Sequence, residues 1–170
     1  MTRKREKSLY MTELMTPEMA NFAGNVHGGH LLKLLDRVAY ACAARYCGSY
    51  VVTASLDNVY FKSPIKVGEL ATFMANVNYT GRTSLEVGVK VLAEDLHTRE
   101  QRHTNSCYFT MVAMSPDGTP IEVPALEPRT DIEQKLFRAG EMRRELRAEM
   151  RRRNEALHVG LPNDYLDGRS

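Results

Sequence analysis

The chain has 170 residues, of which 43% are hydrophobic and 26% are charged. These proportions are ordinary for a globular protein, and the length suits one domain with its own core. The formal net charge is only +2, so the chain as a whole does not predict general nucleic-acid binding. No apolar run approaches the roughly 20 residues that a membrane-spanning helix needs, so we expect no membrane segment.

Three cysteines, Cys42, Cys47 and Cys107, are odd in number and form no C-x-x-C pair. Two lie in an apolar segment with helical spacing and one lies in a strand-like segment. We therefore expect buried or partly buried free thiols in a reducing cytosol, which predicts a cytoplasmic location. The basic N-terminus has no apolar segment behind it, so it is not the pattern of a secretory signal.

The first part of the chain predicts one short strand and one strong helix. Residues 1–8 are expected to form a basic tail, followed by a short edge strand over 9–15. A helix is predicted over 30–46, because five apolar side chains recur at the spacing of one helical face. These side chains are Leu31, Leu34, Leu35, Val38 and Cys42. Gly48 is expected to end this helix.

Residues 50–123 predict β-structure, with runs of β-branched and aromatic residues separated by turn signals. Strands joined directly by short turns pair antiparallel, which gives an α+β fold. The apolar helical stripe suggests that this sheet wraps around the helix. Further along, residues 131–157 are proline-free and densely charged, and they predict a long helix with a thin apolar stripe. We expect the six arginines from Arg143 to Arg153 to be solvated or to contact another subunit.

The loop before the predicted central helix has the chemistry of a polarising site. Gly28 and Gly29 at the helix entrance allow a ligand to approach backbone N–H groups that have no acceptor within the helix. The helix dipole favours negative charge at that position. Asp36, nine residues after His27, adds one carboxylate. Together these residues predict a site that polarises a carbonyl and carries a base.

Each of these residues also has an ordinary structural interpretation. Asp36 lies at the polar edge of the helix, where it could pair with Lys33. Asn25 and His27 are suited to cap or brace a helix entrance. The two glycines could serve only close packing between helix and sheet. The residues taken alone leave these alternatives open.

Three motifs together resemble the hot-dog-fold acyl-CoA thioesterases. They are Gly24-Asn-Val-His-Gly-Gly29 followed by Asp36, Asn58-Val-Tyr-Phe-Lys-Ser-Pro64, and Gly81-Arg-Thr-Ser84 at the head of a strand. The leading Gly-Asn and the charged C-terminal helix favour the cytosolic acyl-CoA hydrolase branch. The resemblance covers residues 9–125. It implies a tail over 1–8, a hot-dog domain over 9–128, and a charged helix and tail over 129–170.

The resemblance implies hydrolysis of acyl-CoA to a free carboxylic acid and coenzyme A. Asp36 would act as general base on water or as nucleophile, and Asn25 would orient the water or the thioester. Backbone N–H groups around Gly28 and Gly29 would stabilise the oxyanion, in a loop shaped by His27. The residues expected to contact coenzyme A are Lys62, Arg82, Thr83 and Ser84. No metal and no cofactor besides the coenzyme A of the substrate is implied.

The resemblance also implies a homodimer with the sites at its interface, combining Asn25 of one subunit with Asp36 of the other. Many relatives assemble further as trimers of dimers, which would make a hexamer. Neither a membrane nor a nucleic acid is an expected partner. Three other functions stay open on the sequence: a hot-dog hydratase or dehydratase acting on acyl thioesters, a non-catalytic acyl-CoA-binding regulator, and a scaffold protein built around the C-terminal helix.

Overall fold

The computed structural model describes residues 5–157, which form one antiparallel sheet and two long helices. In chain order the elements are β1 (Ser8–Leu14), a 3-10 helix (Pro17–Met19), α1 (Gly28–Cys47), β2 (Tyr50–Leu56), β3 (Tyr60–Phe61), β4 (Leu70–Thr80), β5 (Ser84–Glu94), β6 (Gln101–Met114) and α2 (Asp131–Ala156). The strand order is β1-β4-β5-β6-β2, with β3 pairing to the first half of β6. Strands β1 and β2 therefore form the two edges of the sheet.

One face of the sheet packs against α1, as the apolar stripe predicted. The helix contacts β1, β2, β4, β5 and β6. Its predicted stripe is buried, with Leu35 and Val38 fully inaccessible to solvent. Ala39 and Ala43 are also fully buried, and their small side chains allow the strands to approach closely. The α+β architecture with a sheet around one central helix is confirmed.

Two local expectations differ from the structure. The strand run that begins at Tyr50 divides into β2 and β3, because a register shift between Thr53 and Ser55 precedes a segment outside the ladder. Residues 5–8 are attached to the body of the protein. Arg5 donates hydrogen bonds to the carbonyls of Tyr46 and Cys47 at the end of α1, and Ser8 already belongs to β1. The rest of both predicted tails lies outside the described residues.

Helix α2 packs on the opposite face of the sheet from α1 and is held there by ion pairs. Arg143 donates to both carboxylate oxygens of Glu86, which is only 1% exposed, and its guanidinium lies 3.6 Å from the ring centre of Tyr108. Arg147 pairs with the same carboxylate and with Asp57. These two arginines are therefore not solvated as expected, because an acidic residue of β5 faces outward to meet them. The apolar residues expected as a stripe on this helix, Met142, Leu146 and Met150, are exposed.

Gly140 is a point of close approach between α2 and the sheet. An added Cβ atom there would lie 2.6 Å from Cβ of Tyr79 and 3.2 Å from Oε1 of Glu86. We expect Gly140→Ala to lower the free energy of unfolding by about 1–3 kcal/mol, because neither neighbour is free to yield. Helix propensity alone predicts the opposite sign, a gain of roughly 0.5–1 kcal/mol. Urea unfolding measures the difference.

The exposed Ala148→Gly variant of the same helix serves as the control, since it reports helix propensity without a packing contact. It should be destabilised by about 1 kcal/mol. A Gly140→Ala variant as stable as the unmodified protein, or more stable, would contradict the close packing.

Candidate active site

His27 sets the geometry of the helix entrance. Its backbone is extended, with φ −65° and ψ 131°, and its Nδ1 accepts a hydrogen bond of 2.9 Å from the N–H of Gly29. Its carbonyl accepts from Leu31 N–H and so begins the helical ladder. The histidine is thus the N-cap of α1, as one interpretation of the sequence expected. Because its ring accepts the Gly29 proton, Nδ1 is not available as a base in this conformation.

The two glycines of the entrance play different parts. A Cβ atom on Gly29 would lie 3.1 Å from Nδ1 of His27, so glycine leaves room for the cap. The N–H of Gly28 belongs to the first turn, where no acceptor within the helix exists. None of the hydrogen bonds among residues 5–157 uses it. Of the two glycine amides, Gly28 is therefore the one available to a ligand.

Gly28 opens onto a cleft of about 290 Å³. One wall comes from the loop before α1 and the other from the segment between β3 and β4. The lining residues are Asn21, Asn25, Val26, Gly28, Leu31, Phe61, Lys62, Ser63, Pro64 and Ile65. Polar amides, a lysine and apolar side chains thus surround one helix N-terminus, a combination suited to an anionic or polarised ligand.

Both asparagines of the loop reach this cleft, but they are used differently. The Oδ1 atom of Asn21 accepts hydrogen bonds from the backbone N–H groups of Ala23 and Asn25, which folds the loop. The side chain of Asn25 takes part in none of the hydrogen bonds between described residues, while its backbone pairs with Lys66 across the cleft. The side-chain N–H₂ group of Asn21 is thus available to bind a ligand, whereas Asn25 can bind one through both its N–H₂ group and its side-chain oxygen.

Asp36 lies elsewhere on α1, on its solvent-exposed side. Its Oδ1 accepts a 2.7 Å hydrogen bond from the hydroxyl of Thr53 on the edge strand β2. Thr53, rather than Lys33, is its hydrogen-bonding partner among the described residues. Asp36 is not among the residues that line the cleft. A single chain therefore holds the predicted amide donor and the predicted carboxylate at two separate places.

The helix itself enforces this separation. Asp36 follows Gly28 by eight residues, which corresponds to about 12 Å along the axis of an α-helix. An aspartate side chain is far too short to cover that distance. One thioester carbonyl cannot contact the Gly28 amide and the Asp36 carboxylate of the same chain.

The residues expected to contact coenzyme A also divide into two groups. Lys62 lies on the cleft. The other three, Arg82, Thr83 and Ser84, lie at the turn between β4 and β5. There the carbonyls of Arg82 and Thr83 accept from Val123 and Ala113 N–H groups, and Ser84 pairs with Val112. None of these three lines the cleft of its own chain.

The three thiols are free, as expected, and they are poor nucleophiles. Burial raises the pKa of Cys42 and of Cys107 to about 12, and that of Cys47 to about 11. A thiol of such high pKa carries almost no thiolate at neutral pH. Within residues 5–157 no cluster of three or more His, Cys, Asp or Glu side chains is arranged to hold a metal ion. No helix of the described chain is long and apolar enough to cross a membrane.

A central helix wrapped by an antiparallel sheet, with a cleft at the helix entrance, is the architecture of a hot-dog thioesterase. Residues 23–100 match the thioesterase superfamily. Protein VdlD of Helicobacter pylori is 53% identical over 139 residues, which are 82% of this chain and 79% of that protein. The solved structure of an apo-hexameric acyl-CoA thioesterase has a TM-score of 0.81 at 38% identity and covers 84% of this chain and 92% of its own.

An acyl-CoA hydrolase from Staphylococcus aureus, solved with coenzyme A, has a TM-score of 0.83 at 29% identity and covers 95% of this chain and 94% of its own. The chain therefore belongs to the acyl-CoA thioester hydrolases of the thioesterase superfamily. The resemblance inferred from the sequence motifs is confirmed.

Structures of the Staphylococcus aureus hydrolase identify three substituted positions whose spacing can be compared with this chain. They include variants in which an aspartate, an asparagine or a threonine is replaced by alanine. In that protein the asparagine precedes the aspartate by fifteen positions and the threonine follows it by seventeen. In this chain Asn21, Asp36 and Thr53 have the same spacings. The sequence interpretation named Asn25, in the Gly-Asn motif, and did not consider Asn21, which is four residues earlier in the same loop.

An ion pair that contacts the cleft wall, between Glu69 and Arg102, should make stability depend on pH. Glu69, which is 5% exposed, accepts hydrogen bonds from Arg102 and from the N–H of Lys66. The Arg102 guanidinium lowers the pKa of this carboxyl below its ordinary value of 4.5. The charged form therefore stabilises the fold above that ordinary value, and the contribution is lost as the pH falls through the lowered pKa.

We expect the difference in unfolding free energy between the unmodified protein and Glu69→Gln to be constant near neutral pH and to shrink below pH 4.5. Urea unfolding at a series of pH values measures it. In an Arg102→Met background the same comparison should lose most of this trend, because the largest cause of the shift is gone. Parallel stability curves for the two proteins down to acid pH would contradict the assignment.

Proposed function

We propose that this chain hydrolyses the thioester of acyl-CoA to a free carboxylic acid and coenzyme A. The observation that carries the proposal is the hydrogen bond from Thr53 to Asp36, in a chain whose Asn21, Asp36 and Thr53 match the spacing of three residues substituted in a related hydrolase. Another structure of that hydrolase contains butyryl coenzyme A and coenzyme A. A short acyl-CoA is accordingly the first substrate to test.

The proposed reaction begins with attack on the thioester carbonyl at the cleft. Asp36 acts either as general base, taking a proton from a water molecule whose oxygen adds to the carbonyl carbon, or as the nucleophile itself. Thr53 donates to one carboxylate oxygen and leaves the other oxygen free for either role. Collapse of the intermediate breaks the carbon–sulfur bond, and the coenzyme A thiolate leaves with the electron pair. When Asp36 is the nucleophile, a water molecule then hydrolyses the mixed anhydride, which releases the carboxylic acid and restores the carboxylate.

The oxyanion that forms during attack needs hydrogen-bond donors already in place. We assign this role to the N–H of Gly28, since the neighbouring N–H of Gly29 is held by the His27 ring. The amide points from the positive end of the α1 dipole, which favours a developing negative charge. His27 acts as the cap that orients this turn, and takes no part in proton transfer.

The asparagine that orients the water or the carbonyl is one of two candidates. Asn25 was the sequence-based choice and keeps a free side-chain amide at the cleft. Asn21 has the matching spacing to Asp36, and its Oδ1 is already held by two backbone N–H groups, which fixes the direction of its N–H₂ group. A preorganised donor contributes more to catalysis than a mobile one. We therefore favour Asn21.

The proposed site is shared between two subunits. Because α1 separates Gly28 from Asp36 by about 12 Å within a chain, a complete site needs the cleft of one copy and the Asp36 of another. Thr53 belongs to the edge strand β2, and Asp36 lies beside that strand. In the same strand Tyr50 and Leu56 are 60% and 38% exposed. An exposed edge with apolar side chains is suited to pair with a second copy. We propose a homodimer formed along this edge.

Further assembly to a trimer of dimers would explain the remaining predicted contacts. The related acyl-CoA thioesterase described above is hexameric. Lys62 can meet coenzyme A phosphates at the cleft. Arg82, Thr83 and Ser84 do not line the cleft of their own chain, so we assign them to coenzyme A bound by another subunit. We propose no metal and no cofactor beyond the substrate, and a cytoplasmic location in keeping with the free thiols.

The direct test replaces the carboxylate of Asp36 with an amide. Asp36→Asn keeps the size and the hydrogen bond from Thr53 but removes the base, so release of coenzyme A thiol should fall by about 10²–10⁴-fold. The matched control is Asp131→Asn, at an exposed position at the start of α2. A folded Asp36→Asn variant with unchanged turnover would refute the assignment. Unmodified protein that binds acyl-CoA without releasing thiol would favour the regulator, and a change in enoyl absorbance would favour a hydratase.

A second comparison decides between the two asparagines. We expect Asn21→Ala to lower kcat by roughly 10²-fold, because a misplaced water or carbonyl slows attack. Asn25→Ala should lower it less. Steady-state kinetics on a short acyl-CoA measures both, with thermal unfolding to show that each variant is folded. If Asn25→Ala has the larger effect on kcat, Asn25 is the orienting residue.

Gly28 offers a way to remove one backbone donor without removing a side chain. Proline is well tolerated at the first position of a helix, and the extended backbone of His27 suits the residue before it. Gly28→Pro lacks the N–H and should lower kcat by about 10²–10³-fold. Gly28→Ala keeps the N–H, and its Cβ would meet Phe61 only at 3.8 Å, so it should keep most of the activity. Equal activity of the two variants would exclude the Gly28 amide as the oxyanion donor.

A further inference from the structure

Arg102, near the start of β6, donates hydrogen bonds from all three nitrogens of its guanidinium, to Glu69 and to two residues of the cleft wall. Its Nη1 and Nη2 donate to the two carboxylate oxygens of Glu69, each at 2.7 Å. Its Nη2 also donates to the carbonyl of Pro64 at 2.6 Å, and its Nε donates to the hydroxyl of Ser63 at 3.0 Å. Such a bidentate pair with two further acceptors is a geometry that arginine can satisfy and lysine cannot.

The groups that Arg102 holds belong to the segment that faces the helix entrance. Ser63 and Pro64 line the cleft. The next two residues connect this segment to the loop before α1. The carbonyl of Ile65 accepts a 2.8 Å hydrogen bond from Val26 N–H, and Lys66 pairs with Asn25. A continuous set of hydrogen bonds thus runs from Arg102 through residues 63–66 to the residues just before Gly28.

At Ser63 and Pro64 no other side chain from elsewhere in the described chain fixes this segment by a hydrogen bond, and core packing begins at the next residue, Ile65. Lys62 is anchored by its N–H to the carbonyl of Thr104, and Lys66 is anchored to Glu69. Between these two points the only side chain from elsewhere in the described chain that hydrogen-bonds residues 63 and 64 is that of Arg102. Since this stretch carries no ladder hydrogen bonds of its own, its position depends on that side chain.

We propose that Arg102 is a positioning residue for thioester hydrolysis, which places the 63–66 wall against the helix entrance and so sets the width of the cleft at the Gly28 amide. The proposal rests on the hydrolase function proposed above. Arg102 acts through the wall and not on the substrate. A loosened wall should therefore lower kcat more than it raises KM, because misplacement at the reacting carbonyl affects the transition state most.

The test uses a variant that keeps the buried charge balanced. Arg102→Lys leaves an ammonium to pair with Glu69 but cannot hold Ser63 and Pro64 at the same time. We expect kcat to fall roughly tenfold to a hundredfold, with KM changed less and the thermal midpoint nearly unchanged. Ser63→Ala removes only the Nε contact and should have a smaller effect on kcat. Arg102→Met should lower kcat at least as far as Arg102→Lys.

The control for Arg102→Met is Arg99→Met. Arg99 also forms an ion pair with a glutamate, through Nε to Glu94 at 2.9 Å, at the same end of the β5–β6 hairpin, but its side chain is 77% exposed. Among the described residues its side chain hydrogen-bonds no residue of the cleft wall. Its substitution removes the same charge and should leave kcat and KM unchanged.

A second readout does not depend on activity. If the wall is released, the Val26 N–H loses its fixed acceptor, so hydrogen exchange in a peptide covering residues 25–31 should speed up in Arg102→Lys and not in Arg99→Met. Faster exchange together with lower kcat supports the proposal. Unchanged exchange or unchanged kcat in a folded Arg102→Lys variant overturns it, and so does an equal loss of kcat in Arg99→Met. Failure of the hydrolase proposal would show instead as no thiol release by the unmodified protein, with the exchange result unaffected.

Discussion

The length of one buried helix determines how this protein can work. Helix α1 presents the free amide of Gly28 at its first turn and the carboxylate of Asp36 about 12 Å further along its axis, and its packing inside the sheet keeps both in place. Neither end can move toward the other without disrupting the core. In the proposed mechanism each chain thus carries two half-sites, and the proposed dimer along β2 brings unlike halves together.

The segment between β2 and β4, which includes β3, is restrained at two places by arginine side chains. Near its start, Asp57 pairs with Arg147 of α2, and Glu86 pairs with both Arg147 and Arg143. Near its end, Arg102 holds Ser63 and Pro64. The sequence between these anchors supplies Phe61 and Lys62 to the cleft. Arg147 of α2 and Arg102 of β6 therefore restrain the segment that forms one wall of the cleft.

Local patterns were sufficient for the fold, because apolar spacing and turn residues report directly on α1 and on the strands. They predicted the helix α2 but not its packing, since an amphipathic pattern cannot show that Arg143 and Arg147 pair with Glu86 of a distant strand. The site was predictable in part. The His27 cap and the Gly28 entrance follow from helix-terminus chemistry, and the same stretch singled out Asp36 as a carboxylate, whose catalytic role was then implied by the family resemblance. Asn21, which we propose as the orienting residue, was not predicted because the hydrogen bonds to its Oδ1 depend on folding of the loop, which no local periodicity reports.

The central claim is that each site combines the helix entrance of one subunit with the Asp36 of the other. Co-expression of chains carrying Gly28→Pro with chains carrying Asp36→Asn tests it, since each variant alone is expected to be inactive. A shared site predicts that mixed dimers recover up to about a quarter of the unmodified activity, because half of the dimers are mixed and each has one intact site. Mixed dimers that form and stay as inactive as the separate variants would contradict the account.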